Sequence, residues 1–359
     1  MRRFCFVVLV GIALVAAVGR AQQGSTAGPY KVVKTAKVGG VGGFDYVNAD
    51  SAGRRLYIAR SGNPGPRITV FNLDTLEPVG EVPNFSAHGV AVDPKSNHAV
   101  ATSKPLVMFD SKTLAMIKTI DVQGNPDGIL YDPYNARIYD LSHAAPNATV
   151  IDPKDGSIVG TIDLGGMPEQ GVTDGKGHLY FDLEDKGSIA AVDANTLKVT
   201  ATYSLEGKGD GCTGLALDAK NHILFASCRD PQAMVILSAD DGKIITTLPI
   251  GPGADGAVFN PNTMEAFTSA GGDGTLAVIK ENSPTSFVVE QNVTTMPGGN
   301  AKTLTLDTKT NRILIIAAEY GPPPPPPPAG APSGGRGGGR GAARGPIVPD
   351  SFSILVVGK

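Results

Sequence analysis

Seven times along this chain a turn runs into a short apolar strand that closes on an acidic residue or Asn. The instances are DYVNAD (45–50), HGVAVDP (88–94), DGILYDP (127–133), QGVTDG (170–175), TGLALDA (213–219), DGAVFNP (255–261) and KTLTLDT (302–308). Their closing residues are Asp50, Asp93, Asp132, Asp174, Asp218, Asn260 and Asp307, at intervals of 43, 39, 42, 44, 42 and 47 residues. A period near 40 with several short strands per unit marks propeller blades, because one unit cannot bury its apolar face without the next.

Each unit continues alike. A Lys/Asn/Gly turn leads to a second strand, as in RLYIAR (55–60), RIYDLS (137–142) and ILFASC (223–228). A third strand ends in Asp-x-x-Thr or a close variant, as in ITVFNLDT and IAAVDANT, whose Asx side chains suit tight turns. A fourth, such as MIKTIDV (116–122), runs to the next Gly-rich turn. Alternation and β-branched content support strands throughout. The seventh unit has three strands, the last being SFSILVVGK, and YKVVKTAKV (30–38) supplies the fourth. The reading is an all-β chain: one seven-bladed β-propeller over 30–359, of four-stranded antiparallel blades, with the last blade closed by the N-terminal strand. Such closure removes the open edge of the ring.

The pattern of Gly, apolar strand, Asp-Pro, Leu-Tyr-Ile/Phe and Val-x-Asp-x-x-Thr resembles the YVTN-type β-propeller repeat of exported YncE-like proteins. LYIARSGNPGPRITVFNLDT (56–75) is the clearest instance, and TLAVIKENSPTS in the sixth unit departs from it by lacking the Asp-x-x-Thr turn. The resemblance implies the fold; propellers of this kind serve many roles.

Before the first unit, Arg2-Arg3 precede an apolar run from Phe4 to Val18 and then Gly19-Arg20-Ala21. This is the layout of a signal peptide over 1–21, cleaved after Ala21, with 22–29 a short linker. The run is short of the ~20 residues that span a bilayer, so no transmembrane span is expected after cleavage. The protein is expected to be exported, to the periplasm or outside the cell. Removing the three arginines of the leader takes the net charge from −3 to −6, and setting aside Arg336, Arg340 and Arg344 leaves −9. An acidic body excludes duplex nucleic acid as the main partner and suits cations or cationic surfaces.

Aligning the units on their first strands puts one residue of each at one mouth of the ring: Asp45, His88, Asp127, Gln170, Thr213, Asp255 and Lys302. His143 and Arg229 stand in neighbouring loops of the same face. These nine are the candidate ligand-binding residues. Asp45, Asp127 and Asp255 around one mouth, among them Asp127 and Asp255 with Asn125 and Asn300 as the metal candidates and with Glu169 also next to the ring, could hold a hard divalent cation such as Ca²⁺ through oxygen. Alternatively these Asp-Gly and Asn-Pro residues cap local NH groups. His88 and Asp127, from adjacent blades, could form an acid–base pair, or merely lie near one another. Lys302 could balance the carboxylates or bind an anion.

Cys212 and Cys228 flank a hairpin turning at Ala219-Lys220-Asn221. An in-register hairpin sets them opposite one another, and a cross-strand disulfide is predicted. Other chemistry is missing from the sequence. There is no Trp for a derived quinone, no Cys-x-x-Cys-His for covalent haem and no Gly-x-Ser-x-Gly elbow. No cofactor is required by this reading.

Residues 321–349, GPPPPPPPAGAPSGGRGGGRGAARGPIVP, read as a disordered insertion between the second and third strands of the last blade. It is either a tolerated loop or a basic arm for polyanionic surfaces or for the acidic mouth. The functional expectation is an exported binding protein, taking a ligand or protein partner at the mouth. A metal-dependent lactonase-type hydrolase, with Asp127, Asp255, Asn125 and Asn300 as ligand candidates and His88 or His143 as base, and a cell-surface interaction module are the alternatives.

Overall fold

A computed structural model of the chain describes residues 26–296, 300–322 and 345–359. The leader 1–21, the linker up to 25 and positions 323–344 of the insertion lie outside the described residues. Among the described residues every regular element is a strand. No helix there is long and apolar enough to cross a membrane.

The twenty-eight strands form seven four-stranded sheets. The chain enters on β1 (Lys31–Lys37) and then builds blade 1 from β2 (Phe44–Asp50), β3 (Arg55–Arg60), β4 (Arg67–Asn72) and β5 (Pro78–Pro83). Blade 2 is β6 (Val90–Asp93), β7 (His98–Ala101), β8 (Leu106–Asp110) and β9 (Met116–Ile120). Blade 3 is β10 (Pro126–Asp132), β11 (Arg137–Ser142), β12 (Ala148–Asp152) and β13 (Ser157–Ile162). Blade 4 is β14 (Pro168–Thr173), β15 (His178–Leu183), β16 (Ser188–Asp193) and β17 (Lys198–Ser204). Blade 5 is β18 (Asp210–Asp218), β19 (Ile223–Asp230), β20 (Gln232–Ser238) and β21 (Ile244–Pro249). Blade 6 is β22 (Ala254–Asn260), β23 (Glu265–Ala270), β24 (Thr275–Ser283) and β25 (Ser286–Thr294). Blade 7 is β26 (Ala301–Asp307), β27 (Arg312–Ala317) and β28 (Ser353–Gly358), with β1 as its outer strand.

All pairings within blades are antiparallel, as the hairpin-by-hairpin sequence requires. The inner strands β2, β6, β10, β14, β18, β22 and β26 each contact the next, and β26 contacts β2, so the ring is closed. The chain is a seven-bladed β-propeller. In blade 6, where the Asp-x-x-Thr turn is missing, β24 and β25 run on for nine residues each and meet in a tight hairpin at Pro284-Thr285.

Each blade interface holds one apolar cluster. Tyr57 and Phe109 meet between blades 1 and 2, Tyr139 and Phe181 between blades 3 and 4, and Phe225 and Phe259 between blades 5 and 6. Each buried large side chain contributes about 1.5–3 kcal/mol. The outer strands are wetter: β5, β9 and β13 are mostly exposed.

The closing residue of every first strand accepts a backbone NH two positions on, from Asp50 and Ala52 in blade 1 to Asp307 and Lys309 in blade 7. These repeated Asp and Asn side chains are turn chemistry on the face away from the ring of candidates. Asp307 also takes a two-pronged ion pair from Arg54 at 2.8 and 2.9 Å, joining blade 7 to blade 1.

Cys212 and Cys228 form a disulfide, as the sequence predicts, but not through an unbroken register. The turn places Asp218 opposite Ile223, which would offset the cysteines by one. A β-bulge at Thr213 restores the match. The insertion in blade 7 is built into the fold at both ends. Tyr320 pairs with Ile347, and Gly321 NH donates to Pro346 O at 2.8 Å.

Candidate ligand site at the channel mouth

Strict alternation would send every second residue of an inner strand away from its neighbours. Six of the seven inner strands break that alternation with a bulge at the mouth. In blades 1, 3, 4 and 6 two residues stand opposite one on the partner strand: Asp45-Tyr46, Asp127-Gly128, Glu169-Gln170 and Asp255-Gly256. A bulge bends the strand and re-aims these side chains into the mouth. Gly128 is required by the crowding this creates, since a Cβ there would stand 2.3 Å from Glu169 O. Gly256 sits at φ +89°, a conformation that favours glycine.

The result is a row of alternating carboxylates and imidazoles across blades 1 to 4. His88 Nδ1 lies 2.7 Å from Asp45 Oδ2 and 3.1 Å from Asp127 Oδ1. His143 Nε2 lies 3.1 Å from Asp127 Oδ2 and 3.1 Å from Glu169 Oε2. Tyr46 OH then donates to Glu169 Oε1 at 2.9 Å, reaching from blade 1 across to blade 4. Asp127 is the deepest of the first three, its side chain 12% exposed against 44% for His88. Its carboxylate meets two histidines instead of capping local NH groups. The donor atoms of Asp45, His88 and Asp127, and those of Asp127, His143 and Glu169, form two triads with every separation within 4.8 Å.

Charge and burial set the protonation states. Bonds to Asp127 and Glu169 push His143 up to about 10, so its imidazole is a cation at neutral pH. The bond to Asp45 raises His88 in the same way, against the opposing effect of burial. Burial raises Asp45 and takes Glu169 to about 7. Beneath them Asp140 on β11 is fully buried, and neither of its carboxylate oxygens has a hydrogen-bond partner among the described residues. Burial and then the nearby charge of Asp127 push it up to about 8. Burial, then the Glu169 charge, keeps Tyr46 a phenol.

The other half of the mouth is already occupied by its own ion pairs. Asp255 Oδ2 meets Lys302 Nζ at 3.0 Å and Asp255 Oδ1 meets Arg229 at 3.4 Å, while Arg229 also approaches Glu184 at 3.5 Å. Burial works to lower Lys302, but the charges of Asp255 and Asp45 outweigh it and hold the amine up. Thr213 is buried and donates to Ala254 O at 2.7 Å. Gln170 is a crosspiece: its amide donates to Ala257 O and accepts from the NH groups of Leu215 and Ala257. Asp255 is therefore not brought into either triad, and its carboxylate is taken up by two cations. Asn125 contributes backbone contacts to Ser142 and His143, and Asn300 is buried.

One member of the row, Tyr46, is not among the sequence candidates, and Glu169 is named there only as a neighbour of the ring. Glu169, and not its neighbour Gln170, joins His143, and Tyr46 supports Glu169 from across the ring. Beside the row a cavity of about 480 Å³ opens between blades 2 and 3, lined by Phe85, His88, Lys104, Val107, Met116 and Asn125 among others.

Fold and site together define a seven-bladed propeller with a carboxylate–imidazole row at one mouth. Among solved structures the chain is similar to one from the "Crystal Structure of Mitotic Checkpoint Complex". That likeness has 10% identity and a TM-score of 0.68, over 88% of this chain and 96% of the other. It concerns the fold alone. No family model and no curated protein matches the chain, so the YVTN-type likeness stands as a resemblance.

Proposed function

We propose that this protein is an exported β-propeller binding protein that takes a cationic ligand at the mouth of blades 1 to 4. The observation that carries the reading is the convergence of Asp45, Asp127 and Glu169 on one partly open site. The acidic body favours the approach of cations. The leader-like N-terminus and the Cys212–Cys228 disulfide support an oxidising, exported setting. The basic insertion 321–349 remains a candidate contact for polyanionic surfaces, separate from the mouth.

A second reading, a metal-dependent hydrolase of the lactonase type, is favoured by one feature. Two imidazoles share the carboxylate cluster, where a cation could activate water. On this second reading the ligands are the Asp127 triads, whose donor atoms lie together, in place of Asp255, Asn125 and Asn300.

The test is a melting-temperature panel with Mn²⁺, Ca²⁺, spermidine and a Lys/Arg-rich peptide, on the wild type and Asp127→Asn. Binding to the folded state raises the melting temperature. The reading expects at least one cationic probe to do so in the wild type alone. It is overturned if no probe acts, or if every shift persists in the variant.

A further inference from the structure

Each histidine of the row faces two carboxylate oxygens with a single ring nitrogen: His88 Nδ1 with Asp45 and Asp127, and His143 Nε2 with Asp127 and Glu169. A ring nitrogen carries at most one proton, which points along one direction. It cannot make a good hydrogen bond to both oxygens at once. A divalent cation placed within each triad, with the proton of the ligating ring nitrogen released to solvent, would satisfy all three donor atoms together. The remaining histidine–carboxylate contacts among the described residues differ in this respect. His178 and His222, both well exposed themselves, each meet a single carboxylate oxygen, as an ordinary surface pair does.

The separations are compatible with an octahedral divalent cation. Neighbouring ligands of an octahedral ion with bonds near 2.1 Å stand about 3.0 Å apart. The four nitrogen–oxygen separations here are 2.7, 3.1, 3.1 and 3.1 Å. Tetrahedral Zn²⁺ would need about 3.3 Å, and the longer bonds of Ca²⁺ would spread its ligands at least as far. Asp127 presents Oδ1 to one triad and Oδ2 to the other, which is how a bridging carboxylate joins two ions. Fully buried Asp140, near Asp127 and without a hydrogen-bond partner for either oxygen among the described residues, adds a further acidic group beside the row.

We infer that Asp127 bridges two octahedral divalent cations of the Mn²⁺ type, one held with Asp45 and His88 and the other with His143 and Glu169. This inference rests on the mouth being a cation site. Each triad supplies three ligands, leaving positions for water or for an oxygen-bearing ligand.

The experiment is equilibrium dialysis of the purified full chain against Mn²⁺, with metal analysis and electron paramagnetic resonance. Two ions per chain are expected in the wild type, with a spectrum broadened by coupling between them. His88→Gln and His143→Gln should each retain one ion with a sharper six-line spectrum, and Asp127→Ala should lose both. Circular dichroism confirms that each variant is folded, and the conservative Asp127→Asn serves if Asp127→Ala is not. Zero or one ion in the wild type overturns the inference, as does retention of two ions in either histidine variant. If spermidine or the basic peptide binds through Asp127 while Mn²⁺ does not, the ion pair fails and the cationic mouth stands. If no cation binds, both fail.

Discussion

Asp127 and His88 come from adjacent blades, yet Oδ1 of the one lies 3.1 Å from Nδ1 of the other. The contact exists because a bulge turns Asp127 into the mouth and the loop before β6 delivers His88 beside it. Asp127→Asn would leave two imidazoles sharing fewer carboxylates. It should cost about 1–3 kcal/mol of stability and abolish cation-induced stabilisation. Urea denaturation with and without Mn²⁺ measures both, and unchanged behaviour in the variant would contradict the role given to Asp127.

The raised groups at the mouth all act with one sign on stability. Asp140 moves from an ordinary 3.8 to about 8, so its contribution is full below 3.8 and is lost as pH rises through 8. His143 moves from 6.5 to about 10, so its contribution is full below 6.5 and is lost as pH rises through 10. The melting temperature of the metal-free protein should therefore fall from pH 7 to pH 10. Asp140→Asn should make that fall shallower. A flat profile in the wild type, or an equally steep one in the variant, would show these groups to be insulated from folding.

The Cys212–Cys228 disulfide spans a sequence separation of 16 residues. Closing a loop of that size should stabilise the fold by about 3 kcal/mol through the unfolded state. The paired Cys212→Ser, Cys228→Ser variant should show that loss in guanidinium melts without reductant. Equal midpoints for the two proteins would mean that the bond contributes no net stability.

The N-terminal strand is latched at Tyr30. Its backbone exchanges hydrogen bonds with the Gln291 side chain at 3.0 and 2.7 Å, its ring stands edge-on to Phe267, and its hydroxyl donates to buried Glu265. Lys359, at the same end of the blade because Lys31 pairs with Gly358, reaches the second Glu265 oxygen at 3.1 Å. Tyr30→Ala should cost about 3–5 kcal/mol by opening the closure between blades 6 and 7. Tyr30→Phe should cost about 1–3 kcal/mol, since it strips one donor from a buried carboxylate. Wild-type stability in Tyr30→Phe would show that the latch is apolar only.

The blades were legible because their period is written seven times, and because Asp-x-x-Thr turns have fixed chemistry. The closure was legible from the deficit of one strand in the last blade. The mouth was legible only in part. Alignment by strand starts names Asp45, His88 and Asp127, which the structure brings together, but it also names Gln170 and Thr213, which brace the backbone. The difference lies in the bulges, where two residues face one partner and either can turn inward. Glu169 and Tyr46 reach the row by that route. A simple alternation cannot foresee it. Asp255 stands apart from the row for a related reason, since Lys302 and Arg229 arrive from separate strands and pair with both its oxygens.

The cationic mouth is tested most directly by the melting temperature of purified protein after EDTA and after Mn²⁺ is added back. A ligand at a hundred times its Kd stabilises by about 2.7 kcal/mol. The account predicts a reversible rise with Mn²⁺ in the wild type and none in Asp127→Asn. No rise in the wild type, or the same rise in both proteins, would contradict a divalent site built on Asp127.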